Sequence, residues 1–182
     1  MKKLFITTVA VLGMFFNIQA QEGFNVGGYL GVPVDGSEYA TFSIGFDANY
    51  LFEVTDRIDV GPAVNLSHSF GKKRYYINDD FNEVSISDPF QFVAIAGAGR
   101  FSINDKMTAG VDAGFAIGIN DGNDGGFYFR PLFGYNIKEN IQLNASIIGI
   151  AMGGGRRVYV NDNYYGYYGT FGIFAVGATF NL

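Results

Sequence analysis

The chain has 182 residues, 26 of them glycine, with 17% aromatic residues, no cysteine and no tryptophan. Its formal charge of −5, from 12 basic and 17 acidic side chains, leaves no basic footprint and argues against nucleic acid as a partner. The lack of cysteine excludes disulfides, thiolate chemistry and acylation on cysteine.

Residues 1–20 read as a secretory signal peptide. Lys2 and Lys3 form the charged start, Leu4 to Phe16 an apolar run of thirteen residues, and Ala20 precedes a plausible cut before Gln21. The run is shorter than the roughly 20 residues that a membrane helix needs. A retained anchor helix is the alternative, but a strand-like pattern starts at once at Phe24. The expected mature domain, 21–182, keeps 162 residues and a net charge of −7.

From there the chain repeats one pattern. In 58–70 one face is Ile58, Val60, Pro62, Val64, Leu66, His68 and Phe70; the other is Asp59, Gly61, Ala63, Asn65, Ser67 and Ser69. Side chains alternate faces along a strand, so this is a strand with one apolar side. Expected strands cover 24–34, 40–52, 58–70, 89–101, 107–119, 127–137, 141–152 and 167–182. Eleven residues at about 3.3 Å each, tilted near 40°, climb about 28 Å, enough for an apolar band of about 25 Å. The second faces made of Gly, Ser, Asn and Asp are too small and polar for a dry core. They suit a narrow wet lumen, with the apolar face turned to lipid. The expected fold is all-β: an eight-stranded antiparallel transmembrane β-barrel, an up-and-down meander with no second domain.

Connections alternate in length. Glu53–Arg57, Ser102–Lys106 and Lys138–Asn140 are short; Gly71–Asp88 and Gly153–Gly166 are long. Barrels of bacterial outer membranes keep short periplasmic turns and longer outer loops, so the short set and both termini are expected to face the periplasm. Arg74–Asn78 with Glu83–Ser87, and Arg156–Val160 with Tyr164–Tyr168, flank Asn/Asp clusters. Each reads as a hairpin continuing the barrel wall outward.

On this pattern the chain resembles the small outer-membrane β-barrel family that includes OmpX and the transmembrane domain of OmpA. The resemblance covers nearly all of 24–182 and lies in architecture more than in a diagnostic motif. The best local match is the end, Ala175 to Leu182, where Gly177, Phe180 and Leu182 fit the C-terminal insertion signal of such barrels. Ala175 stands where a polar residue is usual, and the last residue is Leu rather than Phe. The resemblance implies an outer-membrane location, delivery to the outer-membrane assembly machinery and a monomeric barrel.

Five charges fall on inward positions: Asp47, Asp59, Arg100, Asp112 and Arg130. An interior charge needs a partner or water. Strand heights pair Asp59 with Arg100 and Asp112 with Arg130. Two readings follow: an ion-pair plug that fills the lumen, favoured because eight strands leave room only for side chains, or an ion gate of the kind discussed for OmpA-type barrels.

His68 is the single histidine. Some eight-stranded lipid A deacylases carry a His/Ser/acid triad on the outer wall. Here Ser67 and Ser69 fall on the opposite face from His68, so the spacing for nucleophilic catalysis is absent, and an interfacial histidine is the simpler reading. Lys72, Lys73 and Arg74 open the second long loop, and Arg156 and Arg157 the fourth, each cluster followed by tyrosines. They read as a solvated rim with an aromatic girdle, or as a seat for lipopolysaccharide phosphates. Asp121, Asn123 and Asp124 look like part of a calcium loop but lack its bidentate Glu, so a Gly-rich hairpin is simpler.

The expectation is a non-enzymatic outer-membrane protein with a structural or surface-interaction role, its outer hairpins contacting envelope lipid or a partner, and no cofactor. A lipid A-modifying enzyme and a narrow ion channel are the rivals. A soluble lipocalin-like barrel would need more polar outward residues.

Overall fold

A computed structural model describes residues 23–37, 40–77, 83–86, 89–120, 123–160 and 163–182. For 74–77, 83–86, 153–160 and 163–168 only the backbone is described. The expected signal peptide, Asp121 and the side chains of Arg74, Arg156 and Arg157 lie outside the description.

Eleven strands follow in order: β1 (Phe24–Asp35), β2 (Ala40–Tyr50), β3 (Phe52–Thr55), β4 (Ile58–Gly71), β5 (Arg74–Ile77), β6 (Glu83–Ile86), β7 (Phe90–Ser102), β8 (Met107–Gly118), β9 (Gly126–Lys138), β10 (Ile141–Val160) and β11 (Asn163–Asn181). β2 and β3 are one stave broken at Leu51, and both pair with β4. Each stave pairs antiparallel with the next, and β1 closes on β11. The result is a closed eight-stranded antiparallel meander, as its alternation and loop lengths predict.

The register fixes the barrel's dimensions. One row of paired residues runs Gln91, His68, Ile44, Leu30, Val176, Ala145, Phe133, Ala109 and returns to β7 at Phe101, ten residues further on. A shear of ten over eight staves gives a strand tilt of about 41° and a backbone radius of about 8 Å.

Alternation puts Leu30, Phe46, Val64, Ile95, Phe115, Ile147 and Val176 outside, all exposed, with Phe115 at 67%. Such a belt of large apolar side chains around a closed sheet has hydrocarbon as its solvent. The molecule is therefore a transmembrane barrel of the outer-membrane type.

Two expectations need correction. The lumen is not wet throughout. Near the long loops it is packed by Phe90, Phe92, Ile148, Ile150, Phe171 and Ile173, none more than 1% exposed. Phe90 and Phe171 stack with centroids 4.6 Å apart and planes at 8°. The small inward residues of β8 leave room for these bulky ones on β7, β10 and β11. The second correction concerns the outer hairpins. β10 and β11 do continue the wall, pairing as far as Val160 with Asn163. β5 and β6 instead form a two-stranded sheet of their own.

Candidate functional site

Three features stand out: a polar lumen end, a cross-barrel ion-pair chain, and a polar pair on the outer wall. Asn25, Asn49, Thr108, Asn136, Gln142 and Asn144 point inward at the end of the short turns. With Asp47, Asp59, Arg100 and Arg130 they line a vestibule of about 560 Å³. Many of these amides satisfy one another: Asn25 Nδ2 donates to Asn49 Oδ1 at 3.0 Å, Gln142 Nε2 to Asn136 Oδ1 at 2.8 Å, and Asn144 Nδ2 to Thr179 Oγ1 at 2.9 Å.

The charges sit at the head of this vestibule. Arg100 Nη1 meets Asp112 Oδ1 at 2.6 Å. Arg130 Nη1 lies 3.2 Å from Asp47 Oδ2, and its Nη2 donates to Asp47 Oδ1 at 3.3 Å. Arg130 Nε is 3.1 Å from Asp112 Oδ2, close enough for charge attraction although its N–H is not aligned for a hydrogen bond. The order is thus Arg100, Asp112, Arg130, Asp47, reaching across the lumen from β7 to β2. These two arginines and two aspartates carry no net formal charge.

Four of the five expected charges are brought together. Asp59 is not. It faces Arg100 across β4 and β7 in register, yet Arg100 turns to Asp112. Gly110 makes that turn possible, because a Cβ there would fall 2.6 Å from Arg100 Cδ. The expected Asp59–Arg100 pair is therefore replaced by Arg100–Asp112, and Asp59 stays half-exposed on the vestibule wall. Above the ion pairs, the buried Tyr29 passes over β2 and donates to Asn65 Oδ1 on β4 at 3.1 Å. Gly45 leaves the space for its ring, since a Cβ there would lie 2.1 Å from Tyr29 Cζ.

The apolar plug closes the lumen above these groups. Sequence reasoning missed it, though a signal was present. In Ile147-Ile148-Gly149-Ile150 and Phe171-Gly172-Ile173-Phe174 both faces of the strand are apolar, unlike the strands around them.

Ser67 and Ser69 are buried in the lumen, and Ser69 shares a 2.6 Å hydroxyl hydrogen bond with Ser43. His68 points the other way, outward. Its Nδ1 lies 2.8 Å from Gln91 Nε2, and its ring packs edge-on against Phe70 at 4.5 Å. Gln91 was not anticipated as its partner; only the strand register reveals it. Lys72 and Lys73 follow β4 and are exposed. In the β8–β9 connection Gly125 N donates to Asn123 Oδ1 at 3.3 Å within the turn, and Asn123 Nδ2 donates to Gln91 O at 3.0 Å, tying the turn to β7. Among the described residues there is no group of three or more His, Cys, Asp or Glu placed to hold a metal ion.

No family model matches the chain, and no curated protein matches it. Among solved structures it is similar to Ail, the attachment invasion locus protein of Yersinia pestis, at 16% identity and TM-score 0.48, over 88% of this chain and 99% of that one. It is similar to Neisserial surface protein A at 14% identity and TM-score 0.45, over 90% of this chain and 99% of that one. It is also similar to the outer membrane enzyme PagL at 10% identity and TM-score 0.45, over 87% of this chain and 99% of that one.

Proposed function

We propose that this chain is a sealed, non-catalytic outer-membrane barrel that presents a surface-interaction ribbon. The carrying observation is the length of β10 and β11. Pairing of β10 with β9 stops at Met152, and pairing of β11 with β1 stops at Gly172. Beyond those points Arg156–Val160 and Asn163–Tyr167 pair with each other and, among the described residues, with no other strand. A two-stranded ribbon thus continues the wall beyond its neighbouring staves, and among the described residues no other strand pairs with either of its edges. Such edges offer backbone N–H and C=O groups to an extended segment of a partner. The ribbon's sequence, rich in Tyr, Gly and Asn, matches what protein recognition loops use.

The rival readings have less support. His68 has its serine neighbours on the far side of the wall, which removes the nucleophile from an esterase arrangement. The stacked aromatic plug blocks a continuous aqueous path. With the long loops outward, the exposed Lys72 and Lys73 lie beside anionic head groups, each gaining about 1 kcal/mol near such a surface.

The test replaces 153–168 with a two-residue Asn-Gly turn in cells that display the chain. Adhesion to protein-coated surfaces should fall while the heat-modifiable gel shift of the folded barrel persists. Undiminished adhesion by the shortened chain would refute the reading.

A further inference from the structure

The vestibule is a blind pocket. The ion-pair chain and the aromatic plug close it above, and it opens at the end of the short turns, where Glu139 and Asn140 line it. A blind polar pocket passes nothing through, so what it can do is hold something. Its volume of about 560 Å³ lies within the range of small-molecule sites, about 300–1,000 Å³.

One side of a buried guanidinium is open to this pocket. Arg100 is 8% exposed and lines the vestibule. All its hydrogen bonds among the described residues leave from Nη1: to Asp112 Oδ1 at 2.6 Å, to Gly99 O at 2.9 Å and to Val111 O at 3.3 Å. Nε and Nη2 make none, and neither is sealed from solvent as Arg130 Nε is. Gly110, the register partner of Arg100 on β8, has no side chain to cover them; a Cβ there would lie 3.1 Å from Nε. Nε and Nη2 form the edge of the guanidinium that matches a carboxylate with two parallel hydrogen bonds. The structure thus presents a preformed carboxylate fork, unused, in a pocket.

The carboxylates of the chain itself do not use it. Glu53 on β3, Asp59 on β4 and Arg100 on β7 lie in one register row. Residues paired in this way share a face, and each step along the row is one strand spacing, about 4.8 Å. Asp59 is the neighbour of Arg100, yet Asp59, Glu53 and Glu139, all lining the vestibule, make no ion pair among the described residues. Glu53 and Asp59 stand directly opposite each other, an arrangement of like charges that costs stability. The other charged lining groups, Asp47 and Arg130, belong to the neutral ion-pair chain. A plain anion on the Arg100 fork would meet the field of three carboxylates, and a plain cation beside Asp59 would meet the guanidinium. A molecule with both charges, set about one strand spacing apart by their contacts, satisfies the row.

We propose that the vestibule binds a zwitterion of the α-amino-acid type, its carboxylate on Arg100 Nε and Nη2 and its ammonium between Asp59 and Glu53. The head group fills a small part of the pocket. The rest is walled by Asn25, Asn49, Asn136, Gln142 and Asn144, whose side chains donate to and accept from amides and hydroxyls. The ligand is therefore an amino-acid head on a longer polar chain, taken from the side of the short turns. The site lies at the opposite end of the barrel from the ribbon and does not depend on the ribbon's partner.

The test titrates the folded full barrel in detergent micelles with four probes: alanine, acetate, methylammonium and Nε-acetyl-lysine. NMR follows the Arg100 Nε–H and the Asn49 side-chain amide. Alanine should shift the Arg100 signal saturably. Acetate and methylammonium, which each make one of the two charged contacts, should bind at least about tenfold more weakly. Nε-acetyl-lysine, the same head on a chain that ends in an amide, should bind more tightly than alanine and shift Asn49 as well. Asp59→Asn leaves the Arg100–Asp112 pair in place. It should weaken alanine by about tenfold and bind acetate more tightly than the parent does, because the repelling carboxylate is gone. No saturable shift with alanine, acetate or methylammonium binding as tightly as alanine, or unchanged alanine affinity in Asp59→Asn would overturn the site. Equal binding of alanine and Nε-acetyl-lysine would overturn the longer chain. Adhesion that persists in Asp59→Asn after the alanine response is lost separates this site from the ribbon's function.

Discussion

Arg130 is the keystone of the lumen's electrostatics, and its removal has a calculable cost. The guanidinium is 3% exposed and touches two carboxylates, Asp47 at 3.2 Å and Asp112 at 3.1 Å. In Arg130→Met, Asp112 keeps Arg100 at 2.6 Å. Asp47 loses its only ion-pair partner among the described residues. Stranding one buried charge costs about 3–5 kcal/mol. Because Asp47 lines the vestibule, where water reaches it, the lower half of that range applies. Adding Asp47→Asn removes the stranded charge, so the double variant should recover most of the loss and lie within about 1–2 kcal/mol of the parent. Reversible urea unfolding in lipid vesicles, followed by far-UV circular dichroism and by gel mobility, measures all three proteins. A single variant that loses less than about 1 kcal/mol, or a double variant no better than the single, would refute a chain of buried ion pairs centred on Arg130.

Asp59→Asn should change stability by no more than about 0.5 kcal/mol, because this carboxylate has no ion-pair partner among the described residues; a loss as large as that of Arg100→Met would restore the Asp59–Arg100 pairing. Phe171→Ala, which empties the centre of the plug, should cost about 3–5 kcal/mol in the same unfolding assay. Phe115→Arg places a cation on the lipid face and should cost about 2–4 kcal/mol in vesicles; a neutral outcome there would mean that Phe115 does not meet hydrocarbon.

The barrel was legible because its two constraints are local. Alternation with period two and opposed loop lengths fix which face meets lipid, and strands such as β4 and β8 begin within a residue of where the pattern starts them. The lumen was less legible because its contacts cross the bore. Asp59 and Arg100 do share a register position, but a glycine two residues before Asp112 lets the guanidinium turn aside. That choice depends on side-chain volume on a third strand, which no single strand's pattern contains. The plug depends likewise on where the bulky inward residues of β7, β10 and β11 meet around the closed circle. Gln91 became visible as the partner of His68 only once the register between β4 and β7 was known.

The chain has no tryptophan, so a single introduced Trp reports its own surroundings. The most direct test compares Phe115→Trp with Phe171→Trp in vesicles carrying brominated acyl chains, with iodide as the aqueous quencher. The account predicts that bromine quenches Trp at position 115 strongly, and that Trp at 171 emits in the blue and is quenched by neither bromine nor iodide. Bromine quenching at 171, or iodide quenching at either position, would contradict a lipid-embedded barrel with a dry plug.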